Sequence, residues 1–274
     1  MQTASGPALV CGRLQEVADH LFTTRQWMLG ASGPAGRDLE DAWREVAAGV
    51  GVDSEHLVRA RQVHGRGVLV AGRNQRLSST PSNLDVADIV LSRERNFAAA
   101  VQVADCVPLL VADRRTGAVA AAHAGWRGLA LRVPETTVAA LMREFGSRPV
   151  DLIVAVGPSI GACCYQVGAD VREQFEHAGF SRAAIERWFS SSPDPTSRNP
   201  SRAVVRHARD SEHWFFDGWS AVREQLEGAG MPPEQIFVAE LCTASHPDRF
   251  CSYRRDGSGT GRLAAVIVPG PPGP

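Results

Sequence analysis

One histidine stands where an apolar run gives way to glycine: residues 118–128 read Ala-Val-Ala-Ala-Ala-His-Ala-Gly-Trp-Arg-Gly. A chain that carries an imidazole out of a buried strand and then turns presents a base or a metal ligand at a site edge. Gly125 and Gly128 allow close backbone approach or positive φ, with Arg127 between them. Two further groups end or follow apolar strands: Cys106, after Ala98–Asp105, and His64, in Gln62-Val63-His64-Gly65. Imidazole nitrogen and thiolate sulfur both bind zinc, and three protein ligands with an open fourth place is the catalytic pattern. The three lack a diagnostic short spacing, so on residues alone a second chemistry stays open. In it Cys106 is a nucleophile and His123 its base.

Arginines supply the anion-binding candidates. Arg25 follows Thr23-Thr24, and Arg254 and Arg255 precede a glycine-rich turn, Gly257–Gly261. Each guanidinium can fork two oxygens of a phosphate or carboxylate. Equally, these arginines suit solvated turns. Ser159, in Gly157-Pro-Ser-Ile-Gly161, could cradle an oxyanion, although it does not fit the nucleophile elbow Gly-x-Ser-x-Gly.

The totals exclude several classes. All 29 basic residues are arginine, so no lysine is present to form a Schiff base. A net charge of −1 gives no bulk electrostatic attraction to nucleic acid or an anionic membrane. Six cysteines without framework spacing, and no apolar leader in the first thirty residues, point to a reducing, cytoplasmic protein. No stretch reaches the ~20 apolar residues of a membrane span.

Elements that would position these groups follow from periodicity. A strand ends at Phe22–Arg25, and Gly30–Gly36 is a loop. A helix capped by Asp38 runs to Ala48, with Leu39, Ala42, Trp43 and Val46 on its inner face. Residues 67–71 read as a short buried strand, 72–83 as polar loop, and 85–91 as a strand containing Asp88. Ala98–Cys106 is a strand, while Pro108 argues against Val107–Asp113 being central and uninterrupted. Cys106 and His123 then fall on neighbouring strands of one hairpin. Pro134 either kinks a helix running to Phe145 or starts a new one. Leu152–Val156 is a buried strand leading to a helix at 169–178. Asp217 caps a helix over 219–228, and strands occupy 235–240 and the stretch ending at Val268. Residues 190–201, rich in Ser and Pro, form an exposed loop within one domain spanning 1–274.

Five ordered blocks carry a resemblance: Gln62–Gly65, Ala104–Cys106, His123–Gly128, Gly157–Gly161 with Cys164-Tyr165, and Ser252–Gly257 with Thr260–Arg262. Together they resemble the laccase-domain (YfiH-like) family of purine nucleoside phosphorylases, from about Phe22 to Val268. The resemblance implies an α/β fold, a four-layer α/β/β/α sandwich with mixed sheets. It implies one zinc ion per chain, held by His64, Cys106 and His123, with Cys106, His123 and Arg127 as catalytic residues. Arg25, Arg127, Ser159, Arg254 and Arg255 are candidate phosphate and substrate contacts by their own chemistry, as guanidinium forks or a glycine-bracketed hydroxyl. The implied reaction is phosphorolysis of adenosine, inosine, guanosine or methylthioadenosine, with adenosine deamination beside it. Members have also been named peptidoglycan editing factors and polyphenol oxidases. The latter reading suits this chain less, because its eight histidines include no His-x-His pair of the copper-oxidase kind.

Overall fold

The computed structural model describes residues 1–3, 5–30, 39–72, 84–201 and 212–273. Its layering follows from strands that are apolar on both sides. Every residue of Val107–Asp113 is buried. Leu109 and Val111 pack among helices, whereas Leu110 and Ala112 pack against a second sheet. Side chains alternate along a strand, so a strand apolar on both faces must lie between two layers. Leu110, fully buried there, contributes about 2 kcal/mol by burial alone. Truncating it to alanine costs about 2–5 kcal/mol.

That strand is one of the two central strands of a six-stranded sheet ordered Ile236–Val238, Leu152–Val156, Val107–Asp113, Val119–Ala124, Ile89–Ser92 and Val68–Ala71. Its two outermost pairings are parallel and the inner ones antiparallel. The facing sheet has seven strands, ordered Gln2–Thr3, Gly6–Leu9, Asp19–Thr23, Gly261–Val268, Ala98–Val103 and Leu57–Val58, with Leu29–Gly30 also on Gly261–Val268. Helix Leu39–Gly49 lays Trp43 and Val46 on this sheet's outer face, against Leu21, Ala98 and Val266. On the other side, Val138 and Leu141 of helix Val133–Phe145 and Val222 and Leu226 of helix Gly218–Gly228 cover the six-stranded sheet. The layers run helix, sheet, sheet, helix, as the four-layer sandwich requires.

Several local expectations are corrected. Pro108 lies in a central strand after all; it is the second residue, paired with His123 near the strand's start. There its missing N–H costs the ladder little. Val68–Ala71 is an edge strand, half-buried rather than buried. Asp88 precedes the strand Ile89–Ser92 instead of lying within it. The strand from Ala98 stops at Val103, three residues before Cys106. Pro134 sits in the first turn of a new helix, after the short helix Trp126–Ala130 and Arg132 at φ 61°. Leu39 is 37% exposed, while Ala47 takes its place on the buried face. The cap expected at Asp38 and the loops at 31–36 and 73–83 lie outside the described residues. Asp217 caps its helix as expected, accepting from the backbone N–H groups of Trp219 and Ser220. Residues 190–198 and 200–201 are exposed, but Asn199 is buried. Its amide donates to the Glu240 carbonyl at 2.9 Å and accepts from Cys242 N–H at 2.8 Å.

Candidate metal and nucleoside site

Strand register places the first two donors. In Val119–Ala124 the residues Ala120, Ala122 and Ala124 face the helices, so His123 continues the opposite row of Val119 and Ala121, at the strand's end. Pro108 pairs with His123 across the hairpin, which brings Cys106, just before that strand, beside the imidazole. The third donor comes from a turn. His64 holds φ 60°, a left-handed conformation uncommon outside glycine. One ligand atom from each of His64, Cys106 and His123 lies within 4.8 Å of the others, and the two imidazole centroids are 4.8 Å apart. Burial is graded: His64 is exposed, Cys106 half-buried, and His123 buried.

Asp88 binds this arrangement together. Its fully buried carboxylate accepts from backbone N–H groups of Val63, His64 and Gly65 at 3.2, 3.0 and 2.8 Å. It also lies 2.8 Å from His123 Nδ1. One carboxylate therefore sets the turn that carries His64 and fixes the ring of His123, leaving Nε2 for a ligand. Burial alone would raise the Asp88 carboxyl, but the bonds from His123, Gly65 and Val63 bring it below its ordinary value. Sequence reading placed Asp88 on a strand and gave it no role. The signal was present, an acid just ahead of a fully apolar strand.

Without a metal ion, Cys106 and His123 form an ion pair. Burial pushes the Cys106 thiol up, yet the His123 charge and hydrogen bonds from both histidines lower it to about 6. Burial lowers His123, but the Cys106 charge and the Asp88 bond raise it to about 9. A positive ion in place of the imidazolium proton meets the same need. Gly125 makes room for it: a Cβ there would stand 2.8 Å from Cys106 Sγ and 3.0 Å from His64 Cδ2. Its φ is −70°, so close packing, not backbone freedom, requires glycine. The residues present fit a metal with three nitrogen and sulfur donors.

A small cleft opens beside Cys106, lined by Asp105, Gly125, Trp126, Ile160 and Tyr165 among others. Asp105, at φ 86°, accepts from Thr243 Oγ1 at 2.5 Å and from Arg254 N–H at 2.6 Å. It thus pins the C-terminal segment to the Cys106 turn. Burial raises the Tyr165 phenol above its ordinary value, with the charges of Cys106, Arg254 and Arg127 all acting on it. Both arginines are therefore near the cleft. Arg127 is exposed, its guanidinium 4.2 Å from the Trp126 ring centroid; Arg254 lies 5.1 Å from that of Tyr165 and donates to the Gln166 carbonyl.

Other expected contacts sit differently. The Arg255 guanidinium donates to the carbonyls of Thr243, Ala244 and Phe250 and to Asp256. Those bonds hold a loop together; Arg255 stands in a short helix, Tyr253–Asp256, not in a hairpin. Ser159 is fully buried, and its Oγ accepts from Trp219 Nε1 at 2.7 Å. Arg25 is exposed and donates to the Pro247 carbonyl.

A family model described as multi-copper polyphenol oxidoreductase laccase matches residues 28–269. The chain belongs to this family. A purine nucleoside phosphorylase of Deinococcus radiodurans is 32% identical over 90% of this chain and 88% of its own length. Adenosine deaminase RL5, from an unknown prokaryotic organism, is 32% identical over 83% and 80%. The crystal structure of the Bacillus licheniformis hypothetical protein YfiH superposes with a TM-score of 0.78, at 26% identity, covering 95% of this chain and 96% of that one. The chain is an enzyme of this family with a YfiH-like fold.

Proposed function

We propose that this enzyme is a zinc-dependent purine nucleoside phosphorylase whose metal ligands are His64, Cys106 and His123. The observation that carries the reading is the convergence of those donors, backed by Asp88, on a cleft with an aromatic and cationic wall. When bound, a zinc ion with an open place supplies Lewis acidity at that cleft. The indole of Trp126 and the phenol of Tyr165 offer apolar faces for a purine. Arg127 and Arg254 hold phosphate, each through paired N–H donors. A phosphate oxygen bonds to the anomeric carbon of the ribose as the glycosidic C–N bond breaks. The departing base keeps that electron pair and takes up the proton that the attacking hydrogen phosphate brought. Tyr165, its phenol held protonated, can donate a hydrogen bond to the accumulating charge. Arg255 is the weaker candidate because three carbonyls and Asp256 already take its donors. Exposed Arg25, with one bond to a carbonyl, and buried Ser159, whose oxygen accepts from Trp219, stay as further candidate contacts.

The likeness to an adenosine deaminase supports the same cleft accepting water in place of phosphate, with ammonia leaving the purine ring. One domain spans the chain on this reading. The six cysteines are free thiols, which supports a cytoplasmic setting. Among the described residues no helix is long and apolar enough to cross a membrane. The low thiol pKa of Cys106 beside His123 favours one rival, a metal-free Cys–His hydrolase.

Metal analysis paired with product analysis on adenosine separates these. Expected are one zinc ion lost on Cys106→Ala, and free adenine released only with phosphate, alongside ribose 1-phosphate. An active metal-free protein whose Cys106 becomes acylated would overturn the proposal in favour of the hydrolase.

A further inference from the structure

A second cluster of donors lies outside this site. The Sγ atoms of Cys163, Cys164 and Cys242 lie within 4.8 Å of one another, and the three residues are only 2%, 4% and 0% exposed. Ile160, Ala244, Tyr165 and Trp219 pack around them. The Ser245 hydroxyl donates to the Pro200 carbonyl at 2.8 Å. It therefore turns its lone pairs to the sulfurs of Cys163 and Cys164, both 3.5 Å away. Gly161 N–H donates to Cys242 Sγ at 3.4 Å. Hydrogen bonds from Cys163 and Cys164 hold Cys242 well below the ordinary thiol value, and Cys163 is pushed up in return.

Three buried sulfurs within 4.8 Å of one another, with no carboxylate or imidazole in the cluster, select sharply among ions. Calcium and magnesium require oxygen ligands. Zinc seeks four donors, and here the fourth would be a neutral hydroxyl already committed to a carbonyl. A soft monovalent ion accepts three thiolates. Metal–sulfur bonds of about 2.3 Å set three sulfurs about 4.0 Å apart around a trigonal ion, inside the 4.8 Å that bounds their separation here.

We propose that Cys163, Cys164 and Cys242 form a buried site for monovalent copper, distinct from the His64–Cys106–His123 centre. Binding releases protons from the thiols that are not already ionised. The ion bridges residues 157–165, whose Ile160 and Tyr165 line the cleft, to residues 242–245. There Thr243 is bonded to Asp105. Its role is to hold the cleft wall, not to react.

The test uses the full chain, reduced, metal-stripped and titrated anaerobically with the Cu(I)–acetonitrile complex. Copper retained against a Cu(I) chelator is counted in a His64→Ala/Cys106→Ala variant and in the same variant carrying Cys242→Ser. Cys164→Ser replaces Cys242→Ser if that protein fails to fold by circular dichroism. One copper per chain is expected in the double variant and none in the triple. X-ray absorption on the copper-loaded double variant should report sulfur ligands alone. No retained copper in the double variant, equal copper in both, or nitrogen and oxygen ligands would each overturn the proposal. Because the double variant already lacks the first centre, failure of the phosphorylase reading leaves this result untouched, and the reverse also holds.

Discussion

The two donor clusters differ in what stands behind them. His64, Cys106 and His123 mix nitrogen with sulfur, run from exposed to buried, and are fixed from the rear by a carboxylate. Cys163, Cys164 and Cys242 are sulfur alone, uniformly buried, and backed by one neutral hydroxyl. A histidine ligand needs a partner that chooses its tautomer, whereas a thiolate has none to choose. A graded cluster leaves a coordination place for substrate, and a sealed one leaves none. On the proposed readings the first cluster turns over and the second holds.

Removing one donor should break the contrast most sharply. Cys106→Ala is expected to abolish stoichiometric zinc and lower kcat/KM roughly 1,000-fold or more, about 4 kcal/mol of transition-state stabilisation. Cys242→Ser should leave phosphorolysis far less affected. Equal losses in steady-state assays would erase the distinction. Next is the carboxylate: Asp88→Asn should weaken zinc about 10–100-fold, read by chelator competition, with Cu(I) at the trithiol cluster unchanged.

Gly125→Ala should act more mildly. Its φ of −70° accepts alanine without backbone strain. The new Cβ must push on Cys106 Sγ and His64 Cδ2, at an expected overpacking cost of about 1–3 kcal/mol. Zinc affinity should therefore fall, and the apoprotein should unfold a few degrees lower, about 2–4 °C per kcal/mol of that cost. The smallest effect concerns pH. With its thiol lowered to about 6, Cys106 in metal-stripped protein is mostly thiolate above that pH, and thiolate is the nucleophile. Iodoacetamide labelling of Cys106 should climb through pH 6 and level off by pH 7. Cys163, pushed up and buried, should stay unlabelled. A Cys106 rate still climbing at pH 9 would contradict the ion pair.

Much of this was legible before the fold was seen, for physical reasons. Apolar runs such as Ala118–Ala122 mark buried strands, whereas the four layers were implied by the family resemblance and not by the runs themselves. His64, Cys106 and His123 stand beside turns next to apolar strands, but only the ordered blocks of the family resemblance joined them as one ligand set. Asp88 was hidden because its value is tertiary: nothing local reveals that three N–H groups of residues 63–65 will reach its carboxylate. The trithiol cluster was hidden by distance along the chain, since Cys242 reaches Cys163 through tertiary links such as its bridge to Ser159 and the Gly161 N–H bond to its sulfur. Arg255 read as an anion fork because residue type cannot tell that carbonyls of its own loop will use its donors.

The edge position of Val68–Ala71 carries one more consequence. His64 sits on the turn leading into that outermost strand, while Cys106 and His123 flank the central hairpin. Edge segments fray at a free energy well below that of global unfolding. Opening of residues 62–71 would withdraw one ligand and leave the other two in place. On the zinc reading such opening would also free Asp88 from residues 63–65, so amide exchange at His64 and Gly65 should quicken in step with metal release.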